Sequence, residues 1–269
     1  GRNVDIYIFD SGINISHPEF GGRASNFQGI DVTPYYDGED RFMTDTTPNR
    51  HGTCIASLAG GRLGGAAKHA NIINVKVCGI QRSAESAGVV RALGDVRKEH
   101  NAKRWRSRRA PFAGSVINMS FGGIGYSRAM ATAIKKVDKA GIPVVVSAGN
   151  LNTLTYSRSP CNIRDTICVA AVDNGYRKAN WSNYGPEVAI AAPGQDIICA
   201  SFQDGRFGYQ IDDGTSLATA YVSGTLAQFI SYEKLRSNTA LVRKRMVDNS
   251  IDGILEGFSR TTPNRLNNN

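Results

Sequence analysis

The sequence predicts an α/β fold of three layers, a mostly parallel central sheet with helices on both faces. Strand-like apolar runs occur at 4–9, 71–77, 115–119, 142–147, 166–172 and 188–191. Helical patterns fall between several of them, and strand–helix–strand alternation argues for parallel strands joined by helical crossovers. Of 269 residues 41% are hydrophobic, enough for a sizeable core. No internal repeat or low-complexity linker interrupts the chain, so residues 1–269 are expected to form one domain.

Val4, Ile6 and Ile8 alternate in the first run, which reads as a buried strand closed by Asp10. A carboxylate at the carboxyl end of such a strand lies where α/β sheets place their sites. His51 opens HGTCIASLAGG, residues 51–61, whose Ile55, Ala56, Leu58 and Ala59 suit a tightly packed helix. In 84–99, Val89, Leu93 and Val96 recur at helical spacing; in 127–140, Met130, Ile134 and Val137 do the same, with Gly141 as the cap. The run 142–150, IPVVVSAGN, is a buried strand that ends in small residues and Asn150. Ser216 stands in GTSLATAYVSG, residues 214–224, at the head of a helical stretch running through Val222, Leu226 and Ile230. The terminal NRLNNN is polar and expected to fray.

Asp10, His51 and Ser216 are the acid, base and nucleophile of a hydrolytic triad. A serine hydroxyl is a poor nucleophile at neutral pH and needs a base beside it, and that base needs a third group to fix its tautomer. Histidine titrates closest to neutrality, so it can take a proton and return it. The first turn of the helix after Ser216 offers unpaired N–H groups and a positive dipole end to a developing oxyanion. Asn150 adds an amide donor for the same oxygen. Each residue alone has a structural reading as turn former, helix start or cap; together, in the order Asp, His, Ser, they point to attack of an activated serine on an acyl carbon.

With these segments on the page, the chain resembles the subtilisin-like serine peptidases, most closely the proteinase K group. SAGN at 147–150, NMSFGG at 118–123, HPEFGGR at 17–23, NVKV at 74–77, WSNYG at 181–185 and APG at 192–194 carry the resemblance beyond the triad. It implies a triad of Asp10, His51 and Ser216, with an oxyanion hole of Asn150 and the Ser216 N–H. It implies that Ser120, Phe121 and Gly122 form one strand beside an extended substrate and Arg82, Ser83 and Ala84 the other. Ser147, Ala148, Gly149 and Asn150 would wall the pocket for the residue preceding the scissile bond (P1), and being small and uncharged they imply an apolar or aromatic P1. Relatives often carry His where this chain has Cys54, and Met, Pro and His where it has Leu217, Ala220 and Tyr221. A calcium-site acid of the relatives is replaced by Ala189, so that site is not carried over.

No apolar run approaches the roughly 20 residues that span a bilayer, and no signal peptide precedes the first strand. The resemblance implies a secreted enzyme made with a propeptide that is absent here. Expected partners are polypeptide substrates, the propeptide and protein inhibitors, with no membrane partner, and the expected state is a monomer. The chemistry needs no cofactor. Asp37, Glu39, Asp40 and Asp45 in the acidic segment before His51 are candidate calcium ligands, since calcium takes several oxygen ligands, but their spacing is not that of an EF-hand loop.

Five cysteines leave at least one unpaired. Cys161 and Cys168 are the expected disulfide; Cys54, Cys78 and Cys199 read as buried thiols, with a Cys54–Cys78 bridge as an alternative. Of the sequons at Asn14, Asn118 and Asn180, Asn118 lies on an expected buried strand, which makes its match accidental. Net charge is +9, concentrated in RKEHNAKRWRSRR at 97–109. A solvated loop after a helix is favoured over a patch for nucleic acid or another polyanion. Two other classes follow: a protein of the same fold that binds without cutting, and a polyanion binder acting through 97–109.

Overall fold

The computed structural model describes residues 1–28, 50–78, 84, 86–107, 111–203, 205–235 and 238–268. In chain order the elements are β1 (Val4–Asp10), β2 (Ala24–Asn26), α1 (His51–Gly60), β3 (Asn71–Lys76), α2 (Ser86–Arg106), β4 (Gly114–Met119), β5 (Gly123–Ile124) and α3 (Arg128–Lys139). There follow β6 (Val144–Ser147), β7 (Arg158–Ser159), β8 (Ile167–Val172), β9 (Val188–Pro193), β10 (Ile197–Gln203), β11 (Arg206–Asp212), α4 (Thr215–Tyr232), α5 (Thr239–Asp248), β12 (Ile251–Asp252) and β13 (Arg265–Leu266).

Among the described residues one sheet runs β12-β13-β9-β8-β6-β4-β1-β3-β2. Its pairings are parallel except β12 with β13. Successive side chains of a strand point to opposite faces, and β1 uses both. Val4, Ile6 and Ile8 pack with α1 and α4, whereas Tyr7 and Phe9 pack with α2 and α3. Both faces are therefore covered, which is why the strands read as continuous apolar runs. β1 is flanked by β3 on one side and β4 on the other, so crossovers leave it in opposite directions. A crevice opens at the carboxyl ends of strands at such a point, and the ends of β1, β4 and β6 lie side by side there.

The basic segment is helix rather than loop as far as Arg106. α2 continues past residue 99 to Arg106, and its buried stripe of Val89, Leu93 and Val96 extends to His100. Lys, Arg and Ala are good helix formers, and cations suit the negative end of a helix dipole. Arg108 and Arg109 lie outside the described residues.

The hairpin β10–β11 had a local signal that the sequence reading passed over. Gln203 pairs with Arg206; the sequence between them is Asp204-Gly205, a dipeptide that favours hairpin turns, and Phe207, Tyr209 and Ile211 alternate after it.

Cys161 and Cys168 are disulfide-bonded, with Cα atoms 5.0 Å apart. The second bridge corrects expectation. Cys54 pairs with Cys199, not Cys78, which is a buried free thiol. The partners stand 145 residues apart and meet because α1 packs on β10, a juxtaposition that spacing does not encode. Asn118 is fully buried and donates to Ser120 Oγ, so its sequon has a structural explanation.

His100 is fully buried and 2.9 Å from Ser115 Oγ through Nδ1. Burial first, then the neighbouring Arg104 charge, pushes its pKa down to about 4 from 6.5. The unfolded chain thus binds more protons between those values, and stability falls as pH drops through that window. The full loss is about 3 kcal/mol. Thermal melts from pH 7 to 4 should show this slope flattened in His100→Gln, which keeps a polar partner for Ser115 without the titration. Equal slopes in both proteins would remove His100 as the cause.

Candidate active site

Three elements of different sequence origin meet at the crevice. Asp10 ends β1 and is 3% exposed. Its Oδ1 lies 2.8 Å from His51 Nδ1 and accepts the Ser11 N–H at 2.8 Å. The ring is thereby oriented through Nδ1, leaving Nε2 as its outer nitrogen. His51 is the first residue of α1, and the helix start is fastened to the same turn: Gly52 N–H donates to Ser11 Oγ at 3.1 Å. A Cβ at Gly52 would overlap the Gly12 carbonyl oxygen. The glycine after His51 is thus required by the close approach of α1 to the Asp10 loop.

Ser216 is the second residue of α4, whose N-cap is Gly214. Its Oγ donates to the Ser120 carbonyl at 2.9 Å, and Ser120 Oγ donates back to the Ser216 carbonyl at 3.1 Å. The nucleophile candidate is therefore tied to the segment that follows β4. α4 runs unbroken from Thr215 without a proline at Ala220, so the departures at Leu217, Ala220 and Tyr221 leave the helix start intact.

Asn150 follows β6. Its Oδ1 accepts from Thr215 N–H at 3.0 Å and Thr215 Oγ1 at 2.7 Å. Two donors on one oxygen settle which way the amide faces, and the Nδ2 end is left for the cleft. Asn183, fully buried, holds the same loop: its Oδ1 accepts from Leu151 and Thr153 N–H groups, and its Nδ2 donates to the Ala148 carbonyl. Gly149 has φ +99°, and a Cβ there would strike Asn183 Nδ2. The sequence reading quoted Asn183 within WSNYG without a role and passed over Thr215; their tasks depend on contacts across the fold.

One cleft of about 240 Å³ is lined by Asp10, Ser11, His51, Cys78, Ser120, Phe121, Asn150, Asp212, Asp213 and Ser216. Burial, and then the Asp10 charge, raises the Cys78 thiol well above its ordinary value, so it stays protonated and a weak nucleophile. Phe121 also lines an adjoining groove with Ala84, Gly122, Tyr126, Met130 and Pro160. Ala84 forms an antiparallel bridge with Cys78, opposite the 120–122 segment, while Arg82 and Ser83 lie outside the described residues. Ser147 and Ala148 are buried behind Gly149 and Asn150. The calcium candidates Asp37, Glu39, Asp40 and Asp45 also lie outside the described residues. Among the described residues no group of three or more His, Cys, Asp or Glu side chains could hold a metal ion, and no helix is long and apolar enough to cross a membrane.

The model of the subtilase family matches residues 1–268. A cuticle-degrading serine protease of Arthrobotrys oligospora is 30% identical over 99% of this chain and 61% of its own length. Proteinase T of Parengyodontium album is 34% identical over 100% of this chain and 84% of its own. The crystal structure of a cold adapted subtilisin-like serine proteinase superimposes with a TM-score of 0.81 at 29% identity, covering 98% of this chain and 88% of that one. Against several curated relatives the chain spans about three fifths of their length, 61–63%. A match across the whole chain in sequence, and across nearly all of it in structure, identifies the lineage: the chain belongs to the subtilase family.

Proposed function

We propose that the chain is a secreted serine endopeptidase that cleaves polypeptides through an acyl-enzyme. The observation that carries this reading is the 2.8 Å Asp10–His51 pair in one cleft with Ser216 and Asn150. Asp10 orients the imidazole and stabilises it when charged. His51 Nε2 takes the Ser216 proton as Oγ turns from Ser120 toward the substrate carbonyl, then returns it to the leaving amine. Asn150 Nδ2 and the Ser216 N–H donate to the tetrahedral oxygen, where charge develops.

The peptide lies extended between the 120–122 and 82–84 segments, bound through its backbone. Gly149, Asn150 and the buried Ser147 and Ala148 leave a small, uncharged P1 wall that suits an apolar or aromatic residue. The reaction runs on side chains and backbone alone and calls for no cofactor. A propeptide and protein inhibitors fit the same extended groove.

A fluorophosphonate probe tests the reading. It should label folded protein at Ser216, with labelling lost when His51 is replaced by alanine. Folded protein that cleaves a peptide library yet stays unlabelled at Ser216 would overturn the triad; folded protein that neither cleaves nor labels would make it a binding member of the family.

A further inference from the structure

The described lining of the cleft is acidic in a chain whose net charge is +9. Among the described residues, besides Asp10 and His51, its charged lining residues are Asp212 and Asp213, the pair immediately before Gly214-Thr215-Ser216. Neither forms a salt bridge among the described residues. Asp212 Oδ1 accepts the Asp213 N–H at 2.9 Å, Asp213 Oδ1 accepts the Asp196 N–H at 2.6 Å, and Asp212 Oδ2 meets Gln210 Nε2 at 3.4 Å. The ordinary reason for acids at this point in a chain is to cap the helix that follows. Neither acid makes a capping bond here, because α4 is capped by Gly214 without any side-chain bond. Asp10 adds to the imbalance: it is 3% exposed, and its Oδ2 has no hydrogen-bond partner among the described residues.

The pair also has a side. Phe121 lines both the cleft and the groove of Ala84 and Gly122, which the proposed function assigns to the acyl half of the substrate. Asp212 and Asp213 line the cleft but not that groove. They stand at the end of β11, whose partner is the start of β10: Asp212 is opposite Ile197. From these positions we infer that Asp212 and Asp213 select a Lys or Arg on the leaving-group side of the scissile bond, within the first two residues after it. The inference rests on the peptidase reading and deepens it. An acidic residue at the same place is repelled, so the pair discriminates in both directions.

The test uses peptides with one cleavage site that differ only in the residue after it, Lys, Gln or Glu, and a second set with the same exchange two residues before it. The ratio of kcat/KM for Lys over Gln after the bond should be about fivefold at low ionic strength and collapse toward one in 1 M salt, as for partly exposed ion pairs. In Asp212→Asn/Asp213→Asn the ratio should be near one at every salt concentration. Asparagine keeps the oxygens that accept the Asp196 and Asp213 N–H groups, and the ratio refers each protein to its own neutral peptide. An unchanged ratio in the variant, or a preference confined to the residue before the bond, overturns the role of the pair while the peptidase reading stands. Folded, unsubstituted protein that cleaves none of the peptides and takes no fluorophosphonate sinks both.

Discussion

Ser216→Ala is expected to lower kcat on a peptide substrate by about a millionfold, equivalent to about 8 kcal/mol of transition-state stabilisation. In the proposed mechanism Ser216 alone forms a bond to substrate, and Asp10 and His51 act through it. Losing the hydroxyl removes one hydrogen bond, to the Ser120 carbonyl, so the fold should change by about 1 kcal/mol. The variant should therefore melt close to the unsubstituted protein and still bind peptides, since Asn150, Phe121 and the 120–122 segment remain. What survives above the uncatalysed rate comes from binding and the oxyanion donors. Single-turnover assays on protein free of any other peptidase are the measurement. Activity within a hundredfold of the unsubstituted protein would show that Ser216 is not the nucleophile.

Removing the Cys54–Cys199 bridge is expected to have the largest effect on stability. In the chain-entropy account, closing a loop of 145 residues stabilises the fold by about 5 kcal/mol, against about 2 for the 7-residue separation of Cys161 and Cys168. The first bridge also joins α1, which starts with His51, to β10. Cys54→Ala/Cys199→Ala should unfold at distinctly lower denaturant than Cys161→Ala/Cys168→Ala, and it should lose activity on warming before the other variant does. Denaturant titrations of the two double variants check this. The reverse order would mean that strain or residual unfolded structure, not loop entropy, governs both bridges.

Much of the fold could be read in advance because both faces of the sheet are covered. Full burial makes 4–9, 71–77, 115–119, 142–147, 166–172 and 188–191 plainly apolar, and all six correspond to strands of the sheet. Elements that are short or solvent-facing carried less signal. β2, β5, β7, β12 and β13 span two or three residues each, too few for a period. β11 is half exposed, and its Tyr209 and Ile211 face outward. α2 outran its expected end because a basic run reads equally as solvated loop and as helix C-terminus.

The sequence by itself determined the parallel α/β layering and the acid, base, nucleophile and amide from which the proposed chemistry is built. These are legible because a reaction restricts residue type at a point, and because close packing around that point demands glycine beside it, as at Gly52 and Gly149. Tertiary structure alone decided how those residues are held. Thr215 and Asn183 aim Asn150, Cys199 rather than Cys78 meets Cys54, and Asp212 and Asp213 fall in the same cleft as Asp10 and His51. The physical reason is common to all three. Each depends on a contact between elements far apart in the chain, whose distance is set by how helices pack on a sheet and leaves no trace in local pattern.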